Sequence, residues 1–358
     1  MTARLSTVVA CLIASTAIAS EIAPGMIRDA QSATTIIRTP FGGGSGFLVR
    51  LDGAAYIVTN QHVLQGTQAR DVKITFADGS PAMPTSAEIA TGNIDLVRLR
   101  FETKRHPLDC AKSLPTAGSS VVAIGNSLDS GVVTVNPGEI AGVGADDIEV
   151  SCEIVPGNSG GPLIDEAGHV LGVATRIEYA DKERATKDTR YENDRRFCTR
   201  LHDGMRWIPV RNWQAYASAG ATIEAADILC RQVRTAANAV IGGDDLSHIS
   251  LSNASVAAAV ASYQQLSARL DKMDGQLVTE QQLQRNNNIL GSSYCITFQK
   301  LRDACAPNVR VLESLRIPPE WAWLESKRRD TLDIVTGLYE DLDAESHRRP
   351  KFLKFTGK

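Results

Sequence analysis

The sequence predicts an all-β barrel unit followed by an α-helical C-terminal domain, and three observations carry that expectation. From about residue 34 to 213 short alternating strands are punctuated by turn residues every eight to twelve positions, the pattern of a barrel or sandwich. After about residue 218 the apolar spacing changes from two to three or four. Between these regimes lies Pro156-Gly157-Asn158-Ser159-Gly160-Gly161-Pro162, a glycine-rich turn that presents a serine. Its glycines permit a sharp bend that leaves the Gly157 and Ser159 amides free to point into one space, as an oxyanion hole requires.

Of 358 residues, 43% are hydrophobic and 22% charged, and the formal net charge is -3. This near-neutral balance gives no argument for a nucleic-acid partner or an anionic membrane surface. At the N-terminus Arg4 precedes an uncharged run from Leu5 to Ile18, and Ala17-Ile18-Ala19 offers a small-x-small cleavage site. Residues 1–19 are therefore expected to be a signal peptide, with Ser20 first in the mature chain. The expected location is a bacterial periplasm, with the extracellular space second. The run is too short for a comfortable span, so no transmembrane segment is expected in the mature chain.

Within the β-rich half, Gly46-Phe47-Leu48-Val49 leads into an Asp52-Gly53 hairpin signal, and Ala55-Tyr56-Ile57-Val58-Thr59 returns. His62 follows that return strand, where rigid scaffold meets loop. Asp95 immediately precedes the alternating strand Leu96-Val97-Arg98-Leu99. Ser159 lies on the glycine-rich turn. Each has an ordinary structural explanation when taken alone. In the order His62, Asp95, Ser159 they form the constellation of base, orienting acid and nucleophile used in acyl transfer. No His/Cys cluster has metal-ligand spacing, so neither metal nor cofactor is expected.

Five segments carry a family resemblance: Gly44-Ser45-Gly46-Phe47, Thr59-Asn60-Gln61-His62-Val63, Asp95-Leu96-Val97-Arg98-Leu99, Ala123-Ile124-Gly125-Asn126 and the serine turn. Over residues 35–216 the chain resembles the trypsin-like serine proteases, nearest to the bacterial HtrA/Deg branch. The resemblance implies an all-β double barrel of trypsin/chymotrypsin type, two perpendicular six-stranded barrels with the triad between them. It also implies a protein or peptide substrate. Thr175, Arg176 and Ile177 would form the edge that pairs with that substrate, and Arg176 could block the adjoining pocket. Glu153, six residues before Ser159, occupies the position of the pocket-base acid in trypsin, where a buried carboxylate would select a basic side chain. Asn158 cannot make the ion pair through which trypsin is activated.

Residues 176–203 read as a charged, solvated insertion that could serve as a lid. Residues 217–358 form the expected helical accessory domain with a basic tail, preceded by a segment 20–34 and the protease-like unit 35–216. Helices are expected at about 225–240, 253–290 and 320–342. The stripe Val256, Val260, Tyr263, Leu266, Leu270, Met273 and Leu277 could pack internally or serve partner binding and self-association through the 253–290 helix. No PDZ-like strand pattern or carboxylate-binding loop is apparent there. Seven cysteines, six of them beyond the signal segment, favour disulfides in an oxidising compartment. Spacing alone selects none of the fifteen connectivities; the working assignment is Cys110–Cys152, Cys198–Cys230 and Cys295–Cys305. An exported serine endopeptidase is the leading functional expectation. A non-cleaving binding protein and a protease held latent by its helices are the alternatives.

Overall fold

The computed structural model describes residues 22–179, 194–242, 253–274 and 279–348. The expected signal segment, the centre of the 176–203 stretch and most of the basic tail lie outside these residues.

An unanticipated helix, α1 (Pro24–Ala33), opens the described chain, with proline in its first turn where no amide partner is needed. Its Ala30 and Ala33 are buried, and the Thr34 hydroxyl donates to the Ala30 carbonyl. The first sheet contains β1 (Thr34–Thr39), β2 (Gly42–Leu51), β3 (Ala54–Thr59), β4 (Lys73–Phe76), β5 (Pro81–Ala82), β6 (Ser86–Ala90), β7 (Val97–Arg100) and β8 (Leu108–Asp109). A single helical turn, α2 (Gln61–Leu64), follows β3. The second sheet contains β9 (Ser120–Gly125), β10 (Thr134–Val143), β11 (Asp147–Val150), β12 (Pro162–Ile164), β13 (Val170–Glu178) and β14 (Arg195–Arg200). A last strand, β15 (Trp207–Pro209), returns to pair with β6 in the first sheet.

The second sheet closes into a barrel in the order β10-β11-β14-β13-β12-β9. The first does not. Among the described residues it follows the open path β15-β6-β7-β3-β2-β1-β4-β5, with β8 beside β2. The expected β-barrel unit followed by helices is thus observed, with closure complete in the second sheet. The open path ends at a two-residue strand that begins with Pro81, and proline suits an edge because it has no amide to donate. The closed barrel is filled by inward residues such as Ile148, Val150, Leu163, Leu171 and Cys198. The alternating burial along β11 follows the two-residue period of its sequence.

The charged 176–203 stretch is less of an insertion than its composition implies. Arg176, Ile177 and Glu178 pair with Phe197, Arg196 and Arg195 across β13 and β14. Phe197, Cys198 and Thr199 are buried, while Arg195 is bound by Glu149 at 2.9 and 3.0 Å. Consecutive charges at a strand start conceal the barrel strand they lead into.

Four helices follow: α3 (Trp213–Gly242), α4 (Ala254–Asp274), α5 (Glu280–Ser314) and α6 (Ala322–His347). The α3 helix begins earlier than expected, and the Asn212 side chain accepts from the Ala215 amide at its start. The expected 253–290 helix is two helices. Thr279 caps α5 by accepting from the Gln282 amide, a signal present in the sequence as threonine followed three residues later by glutamine. Val256, Val260, Tyr263 and Leu270 are all buried. That apolar face is spent inside the chain, packed against α5 through contacts such as Tyr263 with Tyr294. Met273 and Leu277 fall outside the described side chains. One continuous core runs from Phe47 and Leu48 in the first sheet to Tyr216, Ile223, Phe298 and Trp323 in the helices.

The expected disulfides are absent: Cys110, Cys152, Cys198, Cys230, Cys295 and Cys305 are all free. Cys295 and Cys305 lie ten positions apart on α5, hence about 15 Å along its axis, and a disulfide requires Cα atoms within about 7 Å. Cys198 lies inside the closed barrel whereas Cys230 lies on α3. Cys152 also fills that barrel, whereas Cys110 belongs to the other core. Burial holds the thiols high, Cys110 and Cys305 at about 12 and Cys152 at about 11. Thiolate, the reactive form, is therefore scarce at neutral pH. Iodoacetamide applied to native protein at mildly alkaline pH should modify Cys295, which is partly exposed, before the five buried cysteines. Peptide mass spectrometry would read this, and unfolding without reductant should expose the rest.

Candidate active site

Three consecutive residues after β3 grip the segment just before β7. The Asn60 side-chain amide donates to the Asp95 carbonyl at 2.8 Å, and Gln61 Nε2 donates to the Ile94 carbonyl at 2.7 Å. The His62 amide donates to Asp95 Oδ1 at 3.0 Å, and His62 Nδ1 lies 2.6 Å from Asp95 Oδ2. Since an ionised carboxylate only accepts, the imidazole proton belongs on Nδ1, leaving the Nε2 lone pair outward. Asp95 is 13% exposed and His62 34%, so the pair is largely withdrawn from solvent while the ring remains reachable.

The serine turn is built from the other sheet. Gly157 and Gly160 have φ of +94° and +88°, values that favour glycine. A Cβ at Gly157 would run into the Asn126 carbonyl, and one at Gly160 into the Ser45 carbonyl. Among the described residues, neither the Gly157 nor the Ser159 amide donates a hydrogen bond. Both are available to an incoming oxyanion. Ser159 Oγ is likewise without a hydrogen bond to His62 Nε2; such bonds often form only when substrate binds.

Ser45, on β2, ties these parts together and was not singled out as a site residue by sequence. Its amide donates to the Ser159 carbonyl at 2.7 Å, and its hydroxyl donates to the Gly157 carbonyl at 2.8 Å while accepting from the Asn126 amide at 2.8 Å. Its carbonyl accepts from Thr59 Oγ1 at 2.6 Å, just before the Asn60–His62 grip. The only advance sign was its place in the Gly-Ser-Gly-Phe segment.

Asn158 is fully buried, with neither side-chain polar atom hydrogen-bonded. An aspartate would place an uncompensated charge there, which is far more costly to bury than an amide. Glu153 is exposed, so it does not form the floor of a buried charged pocket. Thr175 occupies the irregularity between Ala174 and Arg176 in the β13–β14 register. Its Oγ1 accepts from Asn60 Nδ2 at 3.1 Å and lies 2.9 Å from Thr199 Oγ1. Arg176 turns to Asp147 at 2.9 Å and lies over the Phe197 ring at 4.2 Å. Ile177 packs against the closed-barrel core. Beyond Ala174, β13 has no strand partner on its β12 side among the described residues.

A cavity of about 460 Å³ adjoins the dyad, with His62, Asp95, Thr175 and Arg176 in its lining. Its other wall comes from α6. The helices also reach His62 from behind: the buried Tyr216 hydroxyl on α3 donates to Gln61 Oε1, next to His62. The Tyr216 ring meets Trp213 at 5.3 Å and Trp321 at 5.2 Å. Burial pushes the Tyr216 hydroxyl well above the ordinary phenol range, so it remains a donor.

Residues 44–173 match the model of the trypsin-like peptidase domain. The chain is 31% identical over 169 residues to the chloroplastic Protease Do-like 1 of Arabidopsis thaliana, covering 42% of this chain and 37% of that protein. It is 36% identical over 147 residues to a probable periplasmic serine endoprotease, DegP-like, of Chlamydia pneumoniae, covering 37% and 28% respectively. It therefore spans little more than a third of the first relative's length and less of the second's. Among solved structures, a serine endoprotease from Yersinia pestis aligns with a TM-score of 0.39 and 24% identity, covering 49% of this chain and 61% of that one.

Ser45→Ala removes both hydroxyl bonds and should lower stability by about 1–3 kcal/mol, read by urea denaturation. It should also slow fluorophosphonate labelling of Ser159 by about tenfold or more, because small misplacements of reacting groups are costly. Tyr216→Phe leaves buried Gln61 Oε1 without its donor and should also cost about 1–3 kcal/mol in urea.

Proposed function

We propose that this chain, which carries a trypsin-like peptidase domain with Do-like protease relatives, is a serine endopeptidase. The single observation that carries the reading is the His62–Asp95 pair at 2.6 Å, tied through Thr59 and Ser45 to a serine turn whose Gly157 and Ser159 amides donate no hydrogen bond among the described residues. Ser159 Oγ attacks the scissile carbonyl carbon while His62 Nε2 takes its proton. Asp95 stabilises the imidazolium, and the Gly157 and Ser159 amides hold the oxyanion. As the intermediate collapses, the C–N bond breaks and His62 returns the proton to the departing amine. Water then cleaves the acyl-enzyme by the same steps, with His62 again as base. The substrate is a protein or peptide whose backbone lies along the open edge of β13 at Thr175–Ile177.

Export belongs to the same reading. The N-terminal charge, apolar run and small-residue site support a signal peptide, and relatives in Chlamydia pneumoniae and Brucella suis are named as periplasmic. No described helix is long and apolar enough to cross a membrane. A second reading, latency, is favoured by α6 lying along the cavity.

Hydrolysis of a generic protein substrate by wild type and Ser159→Ala tests the first reading. The substitution should cut turnover by about four to six orders of magnitude; equal rates would refute the assignment. Fluorophosphonate labelling separates the second: reaction of the resting protein excludes latency, while reaction only after peptide addition supports it.

A further inference from the structure

The cavity beside His62 and Asp95 has a wall that triad chemistry does not require. Trp323, Ser326, Lys327 and Asp330, three or four positions apart on the first turns of α6, line it on one side. This wall is fixed to the first sheet. Trp323 is buried, and neighbouring Trp321 packs edge-on against Tyr216, whose hydroxyl holds Gln61. Asp146 and Asp147 line the opposite side, together with Arg176.

The lining is acidic. Asp95, Asp146, Asp147 and Asp330 face Arg176 and Lys327, and Arg176 is already bound by Asp147. Asp146 and Asp330 form no ion pair among the described residues. The aromatic floor already attracts a cation of the chain's own, with Lys327 Nζ 5.8 Å from the Trp323 ring centre. That contact is an i,i+4 neighbour pair, and it shows the ring within reach of a cation; an ammonium or guanidinium in the cavity meets this aromatic face and two carboxylates without ion pairs among the described residues.

We propose that the first turns of α6 are part of the substrate-binding cleft and select a lysine or arginine side chain of the substrate. The selected residue lies on the side of the scissile bond that runs along β13, with its cation held by Asp146 and Asp330 over Trp323. This rests on the endopeptidase reading of the cleft. It differs from the primary-pocket role expected for Glu153, which is exposed. The helical region then acts in substrate choice and is more than a support for the barrel.

The test uses full-length Ser159→Ala protein and fluorescein-labelled peptides that place Arg, Ala or Glu at each position around one scissile bond. Binding is read by fluorescence anisotropy, and cleavage of the same peptides by the Ser159 form is measured separately. At one position Arg should bind about tenfold more tightly than Glu, the scale of two exposed ion pairs gained with Arg and lost to repulsion with Glu. Asp146→Lys combined with Asp330→Lys should abolish or reverse that preference. Lys327→Ala should tighten binding of the Arg peptide about threefold by removing the resident cation. Thermal melts establish that the variants fold; Asp146, Lys327 and Asp330 are all exposed. Equal binding of Arg and Glu peptides, no binding of any peptide, or a preference untouched by the double substitution would overturn the proposal. Charge-selective binding without cleavage would refute the endopeptidase reading and leave the cavity assignment standing. Cleavage without charge preference would do the reverse.

Discussion

Ser45 is the constraint on which the candidate site depends. One residue bonds through its amide to the Ser159 carbonyl, through its hydroxyl to the Gly157 carbonyl and the Asn126 amide, and through its carbonyl to Thr59. The site is divided between two sheets, with His62 and Asp95 on the open one and Ser159 on the closed barrel. The first sheet's core takes in Ile124, Ile164, Val170 and Val173 of the closed barrel, so apolar packing joins the two halves as well. Ser45 fixes their register where they meet. Its own burial is complete, so these bonds are shielded from competition with water. Gly44 and Gly46 beside it leave no room for side chains: a Cβ at Gly44 would meet Val63 and the Ser159 carbonyl.

A second brace comes from the helices. The Tyr216–Gln61 bond and the packing of Trp213 and Trp321 around Tyr216 place α3 and the start of α6 directly behind the residue that precedes His62. The core accordingly continues from the first sheet into the helices without interruption. A break in the helical packing would be felt at Gln61, which is itself buried and also holds the Ile94 carbonyl. The same α6 start lines the cavity beside the dyad. Support for the histidine and shape of the adjoining cleft therefore share one set of aromatic contacts.

What could be read from sequence follows from how local each feature is. The two regimes were legible because side-chain periodicity is local, and the glycines of the serine turn were legible because positive φ restricts residue type. His62, Asp95 and Ser159 could be nominated by order and setting. Their supporting contacts could not, since Ser45 and Gly157 are 112 residues apart and Gln61 and Tyr216 are 155 apart. Closure of a sheet is non-local as well: nothing in β4 or β5 alone reveals that the path ends at Pro81. The 195–200 strand was hidden because its leading Arg195 is balanced by Glu149 and Glu178 on neighbouring strands, partners that local composition does not display. Cysteine parity misled for a related reason. An even count reports no distances, and these cysteines are distributed through a helix, a barrel interior and a separate core.

The serine turn is held without a charged anchor. Asn158 is neutral and buried, and the Pro156 carbonyl accepts from the Leu128 amide at 2.7 Å. Leu128 and Asp129 both adopt positive φ, a conformation that non-glycine residues maintain only under tertiary restraint. That restraint is visible: Asn126 binds Asp129 Oδ1 and the Gly131 amide, closing the 126–131 turn on itself. The turn and Ser45 thus hold Pro156 and Gly157 from two directions through hydrogen bonds to backbone groups. An anchor of this kind needs neither a new chain terminus nor a buried ion pair to orient the Gly157 and Ser159 amides. The orientation of those two amides is then a property of the folded chain itself.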